Sequence, residues 1–130
     1  MAYQYTETVL DHFRNPRNVG DLPDADVVGE VSNPVCGDTM RVALKLDEEG
    51  RIVDVRFKTF GCAAAIAASS MATEMMKGKT LEEALRDVTR ESITAALGGL
   101  PEAKVHCSVL ASDALADAAA RYRQKVGTKG

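Results

Sequence analysis

Three cysteines are the residues of this 130-residue chain that are best suited to chemistry. They are Cys36, Cys62 and Cys107, and no two of them form a Cys-x-x-Cys pair, which argues against a zinc ribbon or a thioredoxin-like motif. Their odd number leaves at least one thiol unpaired. Because thiolates bind zinc and iron–sulfur clusters, we expect the fold to gather these distant cysteines into a metal or sulfur site rather than a redox disulfide.

Each cysteine lies at the boundary of a predicted element. Cys36 lies in a loop with Pro34 and Gly37. Cys62 directly precedes a predicted helix, and Cys107 begins another. The free N–H groups and the partial positive charge of a helix start favour thiolate over thiol at both positions. A free cysteine is also a common apolar core residue, but three cysteines at element boundaries favour a ligating set.

Two further side chains beside the cysteines could complete a set of ligands. Asp38 follows Cys36 across Gly37, whose freedom allows both side chains to face one point. His106 precedes Cys107. Asp38 could instead bond the backbone of its own turn, and His106 could be a surface or helix-capping residue. Three thiolates with one Asp or His suit zinc as well as an iron–sulfur cluster, and the residues alone do not decide between the two.

The hydrophobic pattern predicts the elements that must position these residues. Their order is a helix, then strands, then helices, which predicts an α+β fold: a small antiparallel sheet of about three strands with helices packed on one face. Two of the strands alternate cleanly and form a hairpin around an acidic turn. The predicted helices are 6–14, 63–76, one that starts with a capping box at 80–83, 92–97 and 107–126, and the predicted strands are 27–32, 39–47 and a run around 53–58.

The same pattern predicts which side chains are buried in two of these elements. The first helix is expected to leave His12 exposed, so His12 is given no role. Its predicted buried face consists of Tyr5, Val9, Leu10 and Phe13. In the second arm of the hairpin, the alternating residues predicted to be buried are Val53, Val55 and Phe57.

The composition excludes several classes of function. Sixteen Lys and Arg against nineteen Asp and Glu give a net charge of −3, which argues against a nucleic-acid-binding protein. No apolar run approaches the ~20 residues of a membrane span, and the first residues lack the pattern of a secretory signal, so we expect a cytoplasmic protein with no membrane contact. The length suits a single domain over residues 1–130, with 1–5 and 127–130 frayed.

Four segments of the chain resemble the signature sequences of one family, the IscU/NifU scaffolds of iron–sulfur cluster assembly. The resemblance extends from about residue 5 to residue 120, and all three cysteines fall at the matching places. The segments are DHFRNPRNVG at 11–20, NPVCGD at 33–38, FKTFGCAAAIA at 57–67 and KVHCSVLA at 104–111.

This resemblance implies a function and a role for each candidate residue. Members assemble a transient 2Fe–2S cluster from iron and from sulfur that a cysteine desulfurase delivers as persulfide, and they then pass the cluster to apo-proteins. By position, the three cysteines are cluster ligands, and Asp38 and His106 are the candidates for the fourth ligand. Cys107 matches the persulfide acceptor, and Lys104 matches a lysine that assists near the site.

The resemblance also implies partners. They are the cysteine desulfurase, apo iron–sulfur proteins, and a frataxin-like protein and a ferredoxin, with the scaffold itself a monomer or a homodimer. The segment Leu100–Lys104 matches the family's docking site for a dedicated chaperone pair, but Glu102 replaces its second proline, which argues against chaperone recognition.

Two alternative functions use the same cysteines. A zinc-bound sulfur acceptor, similar to the SufU sulfurtransferases, would use Cys107 on a bound zinc ion, and zinc also suits the cluster-free form of a scaffold. The presence of His106 and the lack of an insertion between Cys62 and Cys107 favour the IscU/NifU type. A cysteine hydrolase built on Cys107 and His106 is disfavoured, because neighbours at a helix start rarely aim at each other.

The mixed ligand set predicts how a scaffold would release its cargo. A carboxylate is a harder and weaker partner for iron in a cluster than a fourth thiolate would be. We therefore expect Asp38 to make the cluster labile, so that a variant without this carboxylate holds its cluster longer.

Overall fold

The structure is a computed structural model that describes residues 5–32 and 37–127. Within these residues, three antiparallel strands form one sheet in the order β1-β2-β3, and the chain also forms five α-helices. The α+β prediction is confirmed, and the bounds of β1 and α2 are those predicted from the sequence. The elements are α1 Glu7–Arg14, β1 Val27–Ser32, β2 Thr39–Leu46, β3 Ile52–Phe60, α2 Ala63–Met76, α3 Leu81–Asp87, α4 Arg90–Ala96, a 3-10 turn Glu102–Lys104 and α5 His106–Gly127.

Two helices cover one face of the sheet. Helix α5 packs on β1 and β2, and α2 packs on β3 and also contacts α1 and α5. The small residues of α2 allow this close packing, since five of its alanines are buried without exposed surface. Gly29 of β1 serves the same purpose, because a Cβ there would lie 2.3 Å from the carbonyl oxygen of Ala114 in α5. The core lies between the sheet and these two helices.

The hairpin contains a bulge that the alternating pattern does not predict. Leu44 pairs with Val55 and Lys45 with Asp54, but the next residue of β2 pairs with Ile52, so Val53 is skipped. The extra residue turns Val53 outward, where 54% of it is exposed, and turns Ile52 into the core. The prediction that Val53 is buried was therefore wrong, while Val55 and Phe57 are buried as expected.

Helix α1 buries a histidine that was expected to be exposed. His12 is buried against α2, and its Nδ1 lies 2.8 Å from the Oγ of Ser70. The same hydroxyl oxygen accepts a hydrogen bond of 2.9 Å from the backbone N–H of Arg17. Since His12 shares its face with Val9, this polar pair takes the place that Phe13 was predicted to fill, and Phe13 is exposed instead.

The termini predicted to fray, 1–5 and 127–130, lie outside the described residues except for Tyr5, which packs against the core, and Gly127, the last residue of α5. Among the described residues, no helix is both long and apolar enough to cross a membrane.

Candidate metal centre

The candidate ligands meet at one end of the sheet, where four elements begin or end. Asp38 immediately precedes β2, and Cys62 follows the end of β3 and caps the N-terminus of α2. The register pairs Thr39 with Phe60, which brings the start of β2 beside the end of β3. Because α5 packs along the same face, its first two residues, His106 and Cys107, arrive at this end.

Four of the five predicted ligands are brought together. Asp38 Oδ2 lies 3.6 Å from His106 Nε2, and Cys107 Sγ lies 3.7 Å from the same nitrogen. Cys62 Sγ lies 4.0 Å from Cys107 Sγ. The ligand atoms of Asp38, His106 and Cys107 all lie within 4.8 Å of one another. Cys36, the fifth predicted ligand, lies outside the described residues.

These separations fit a shared metal ion. With a Zn–S bond of about 2.3 Å and a Zn–N bond of about 2.0 Å, a tetrahedral zinc ion keeps its ligand atoms about 3.4 to 3.8 Å apart. The nitrogen–oxygen distance of 3.6 Å and the nitrogen–sulfur distance of 3.7 Å fall in that range, and the sulfur–sulfur distance of 4.0 Å lies slightly above it. At 3.6 Å, Asp38 Oδ2 and His106 Nε2 are too far apart for a direct hydrogen bond. The arrangement is therefore close to what a metal centre with oxygen, nitrogen and sulfur ligands requires.

A backbone carbonyl orients His106 for this purpose. His106 Nδ1 lies 3.1 Å from the carbonyl oxygen of Ala103 in the 3-10 turn. A proton on Nδ1 donates to that oxygen and leaves the lone pair of Nε2 facing Asp38 and Cys107, which is the usual arrangement of a histidine that binds metal. Sequence reasoning missed Ala103, because a carbonyl oxygen carries no side-chain signal; only the three-residue spacing hints at the contact.

The same geometry argues against a cysteine hydrolase. In a catalytic triad, the nucleophile and the orienting carboxylate bond to opposite nitrogens of the imidazole ring. Here Cys107 and Asp38 both face Nε2 of His106, and Nδ1 is occupied by the carbonyl of Ala103. Asp38, His106 and Cys107 therefore direct their ligand atoms to one place and do not form the hydrogen-bonded chain of a catalytic triad.

The two thiols at helix starts differ in acidity. Burial acts to raise the pKa of Cys62, but the backbone N–H groups of Ala65 and Ala64 outweigh it, with help from the charge of Lys104, so the pKa lies below the usual value. The direction of this pKa shift at Cys62 agrees with the prediction.

Cys107 behaves in the opposite way. Burial first, and then the charge and hydrogen bond of Cys62 together with the charge of Asp38, raise the pKa of Cys107 to about 12. Only 1% of Cys107 is exposed, so the expectation that its helix start favours thiolate is wrong for the metal-free protein. A bound cation would supply the charge that removes this proton.

Lys104 lies beside the thiols, as its predicted role requires. It is half-buried in the 3-10 turn, and its charge acts to lower the pKa of both Cys62 and Cys107. An assisting role for Lys104 remains a prediction, since a favourable charge does not identify a chemical step.

The sequence is similar to those of known iron–sulfur cluster assembly scaffold proteins. The profile of the NifU-like N-terminal domain matches residues 4–129. The iron–sulfur cluster assembly scaffold protein IscU 1 of Archaeoglobus fulgidus is 60% identical over 95% of this chain and 79% of its own length. The scaffold protein IscU of Azotobacter vinelandii is 51% identical over 95% of this chain and 97% of its own length.

A solved structure agrees with the fold. The SUF-system protein FiSufU of Fervidobacterium islandicum AW-1 superposes with a TM-score of 0.72 at 27% identity, over 88% of this chain and 95% of that protein. The sheet with its helices on one face is therefore shared with a protein of iron–sulfur metabolism.

Proposed function

The chain belongs to the family of NifU-like N-terminal domains, and on that premise we propose that it is a scaffold on which an iron–sulfur cluster is assembled and from which it is passed to apo-proteins. The observation that carries the proposal is the convergence of Asp38, Cys62, His106 and Cys107 at one end of the sheet. Oxygen, nitrogen and sulfur ligands in one small space suit iron that must be held and then released.

The cargo is a 2Fe–2S cluster in this proposal. Cys36, Cys62 and Cys107 supply the thiolates, and Asp38 or His106 completes the set. Cys36 enters through the resemblance of its segment alone, whereas the distances among the other ligands support their assignment. The partial exposure of Cys62 and His106 would let iron and sulfur reach the site from solvent or from a partner.

Sulfur arrives as a persulfide of a cysteine desulfurase. In the proposed step, the thiolate of Cys107 attacks the outer sulfur of that persulfide, the sulfur–sulfur bond breaks, and the desulfurase thiolate leaves. Because burial holds the proton on Cys107 in the metal-free protein, iron in the site would have to come first and displace this proton. Lys104 assists by its positive charge.

The proposal implies further partners. Reduction of persulfide sulfur to sulfide needs electrons beyond those that ferrous iron supplies, and a ferredoxin is a suitable donor. A frataxin-like protein and recipient apo-proteins complete the cytoplasmic set, and the scaffold acts as a monomer or a homodimer. Glu102 in the 3-10 turn argues against a dedicated chaperone pair.

A zinc-bound sulfur acceptor is the second candidate. The observation that favours it is the agreement between the ligand separations and tetrahedral zinc, together with the likeness to FiSufU. In that function the same Cys107 would accept sulfur on a resident zinc ion, and no cluster would form.

Anaerobic reconstitution distinguishes the two functions. The protein is incubated with ferrous iron, cysteine and a cysteine desulfurase, and its visible absorption is recorded; the chain contains no Trp and the metal-free protein has no visible bands. Sulfur-to-iron charge-transfer bands, with about two irons and two sulfides per site, are expected for the scaffold.

The control variants make this test specific. Cys36→Ser should lose the bands, and Asp113→Asn, at an exposed position on α5, should keep them. A colourless protein that retains one tightly bound zinc ion would instead identify the sulfur acceptor.

A further inference from the structure

Gly61 occupies a position between the ligands that its backbone conformation does not explain. It joins the end of β3 to Cys62, the N-cap of α2. Its φ is not in the left-handed region that favours glycine, in contrast to Gly37, Gly50 and Gly78. The reason for a glycine here must therefore be the space around it.

Two neighbours lie where a side chain on residue 61 would begin. A Cβ on Gly61 would lie 3.2 Å from both Cγ and Oδ1 of Asp38, and 2.7 Å from the Cβ of Ala65. The first contact is tighter than side chains ordinarily tolerate, and the second is not tolerated without a shift of one partner. A side chain on residue 61 would thus press against the Asp38 carboxylate on its Oδ1 side.

Both neighbours are buried. Ala65 is fully buried in the first turn of α2. Asp38 is only 9% exposed, and its other oxygen, Oδ2, already faces His106 Nε2 at 3.6 Å. A methyl group on residue 61 would therefore displace the carboxylate by a few tenths of an ångström relative to the other ligands.

We propose that Gly61 is a positioning residue of the metal centre: its missing side chain leaves the room that the Asp38 carboxylate needs to reach the metal. This inference rests on the proposed function, since it assigns Gly61 to the same set of ligands. Gly61 touches neither metal nor sulfur in this role and acts only through Asp38. Metal ligands held by close packing lose affinity when their support moves.

The first test measures zinc affinity of the cluster-free protein by competition with a chromophoric chelator. Gly61→Ala should bind Zn²⁺ about tenfold more weakly than wild type, as does removal of outer-shell support in other metal sites. Asp38→Ala should show a loss at least as large. The double variant should bind no more weakly than Asp38→Ala alone, because the methyl group then has no carboxylate to displace.

A second background separates the two contacts of the new methyl group. Ala65→Gly removes the atom that would lie 2.7 Å away and leaves the contact with Asp38 in place. The pair Ala65→Gly and Gly61→Ala/Ala65→Gly should therefore still differ about tenfold in zinc affinity. This pair also decides the question if Gly61→Ala alone does not fold, which far-UV circular dichroism would reveal.

Cluster lifetime gives an independent readout. After reconstitution, Gly61→Ala should lose its charge-transfer bands more slowly than wild type, in the same direction as Asp38→Ala.

Three results would overturn the inference. They are wild-type zinc affinity in Gly61→Ala, losses that add up in the double variant, and no difference within the Ala65→Gly pair. Failure of the proposed function is a separate result: wild type would form no cluster, while the zinc measurements would still decide the role of Gly61.

Discussion

At the scale of single residues, the proposed scaffold function makes Asp38 the side chain that matters most for cluster release. Among the candidate ligands that the structure describes, it is the one carboxylate, and its Oδ2 shares the space in front of His106 Nε2 with a thiol. A hard oxygen ligand among soft thiolates is the easiest one for an incoming acceptor to replace. Release of the cluster should therefore depend on this side chain more than on any thiol.

Asp38→Ala should consequently hold a reconstituted cluster longer than wild type, with a clearly lengthened half-life, because the ligand that an acceptor replaces most easily is gone. The measurement is the decay of the visible bands under air or in the presence of an apo-acceptor. Asp113→Ala is the matched control, since Asp113 is an exposed carboxylate on α5. Faster loss from Asp38→Ala than from wild type would contradict this role.

The different acidities of Cys62 and Cys107 lead to a second prediction about single residues. In metal-free protein near pH 8, iodoacetamide should modify Cys62 well before Cys107, because the pKa of Cys62 is lowered by backbone N–H groups while burial raises the pKa of Cys107 to about 12. Peptide mass spectrometry of chelator-treated protein follows each site. The two rates should converge only when the chain is unfolded in urea, and equal rates in the folded protein would show that Cys107 is not protected.

At the scale of the elements, the contact between α1 and α2 depends on a buried, uncharged histidine. The hydroxyl group of Ser70 in α2 is hydrogen-bonded to His12 of α1 and accepts a hydrogen bond from the backbone N–H of Arg17. One side chain of α2 therefore holds both α1 and the turn after α1 in place. Burial, and then the charge of Arg17, lower the pKa of His12 below its usual 6.5.

A pH dependence of stability follows from this shift. Well above pH 6.5, His12 is neutral in both the folded and the unfolded chain. As the pH falls through 6.5 and then through the lower pKa of the folded state, the unfolded chain binds the proton first, so the free energy of unfolding decreases. Urea denaturation at pH 8 and pH 5 should show this loss, and His12→Gln should reduce it. A variant with the wild-type pH dependence would rule His12 out as its source.

The close contact between α5 and β1 leads to a second prediction about the elements. Gly29→Ala should destabilise the protein by about 3 kcal/mol, because its Cβ would lie 2.3 Å from a backbone oxygen of α5. Glu30→Ala, the exposed neighbour on the other face, should change the free energy of unfolding by less than about 0.5 kcal/mol. Urea denaturation of both variants checks the pair, and equal effects would mean that α5 can move away from β1.

The elements also show what could be predicted from the sequence. Residue composition placed β1 and α2 correctly, and the Thr80–Glu83 pattern placed the capping box, because these signals are local. The bulge that exposes Val53 and the burial of His12 could not be found in the same way. The bulge depends on the pairing of Ile52 with Leu46 across the hairpin, which alternation alone does not specify. The burial of His12 depends on Ser70, which lies 58 residues further along the chain.

Local patterns likewise predicted some features of the candidate site and not others. Residue type and boundary position identified Asp38, Cys62, His106 and Cys107, and the structure brings these four together. The carbonyl of Ala103 and the space at Gly61 could not be predicted, because one is a backbone group and the other is the lack of a side chain.

At the scale of the whole molecule, the ligands come from three regions of the chain that only the finished fold unites. A metal ion that binds the folded state alone should therefore stabilise the entire structure, by about 2.7 kcal/mol at a free concentration of one hundred times the dissociation constant. Thermal unfolding with and without Zn²⁺ measures the gain. Cys107→Ser should show much less of it, and an equal gain in that variant would place the zinc ion elsewhere.

The register of the β2–β3 hairpin has a consequence of another kind. Thr39 lies opposite Phe60, and this pairing places Asp38 beside Gly61, the residue before Cys62. A slip of one residue would move the carboxylate along the sheet by about 3.3 Å and turn the side chains of the strand to the wrong face. In the proposed scaffold, correct strand pairing is therefore a condition for releasing a cluster, and a chain misaligned in this way would take no part in cluster delivery.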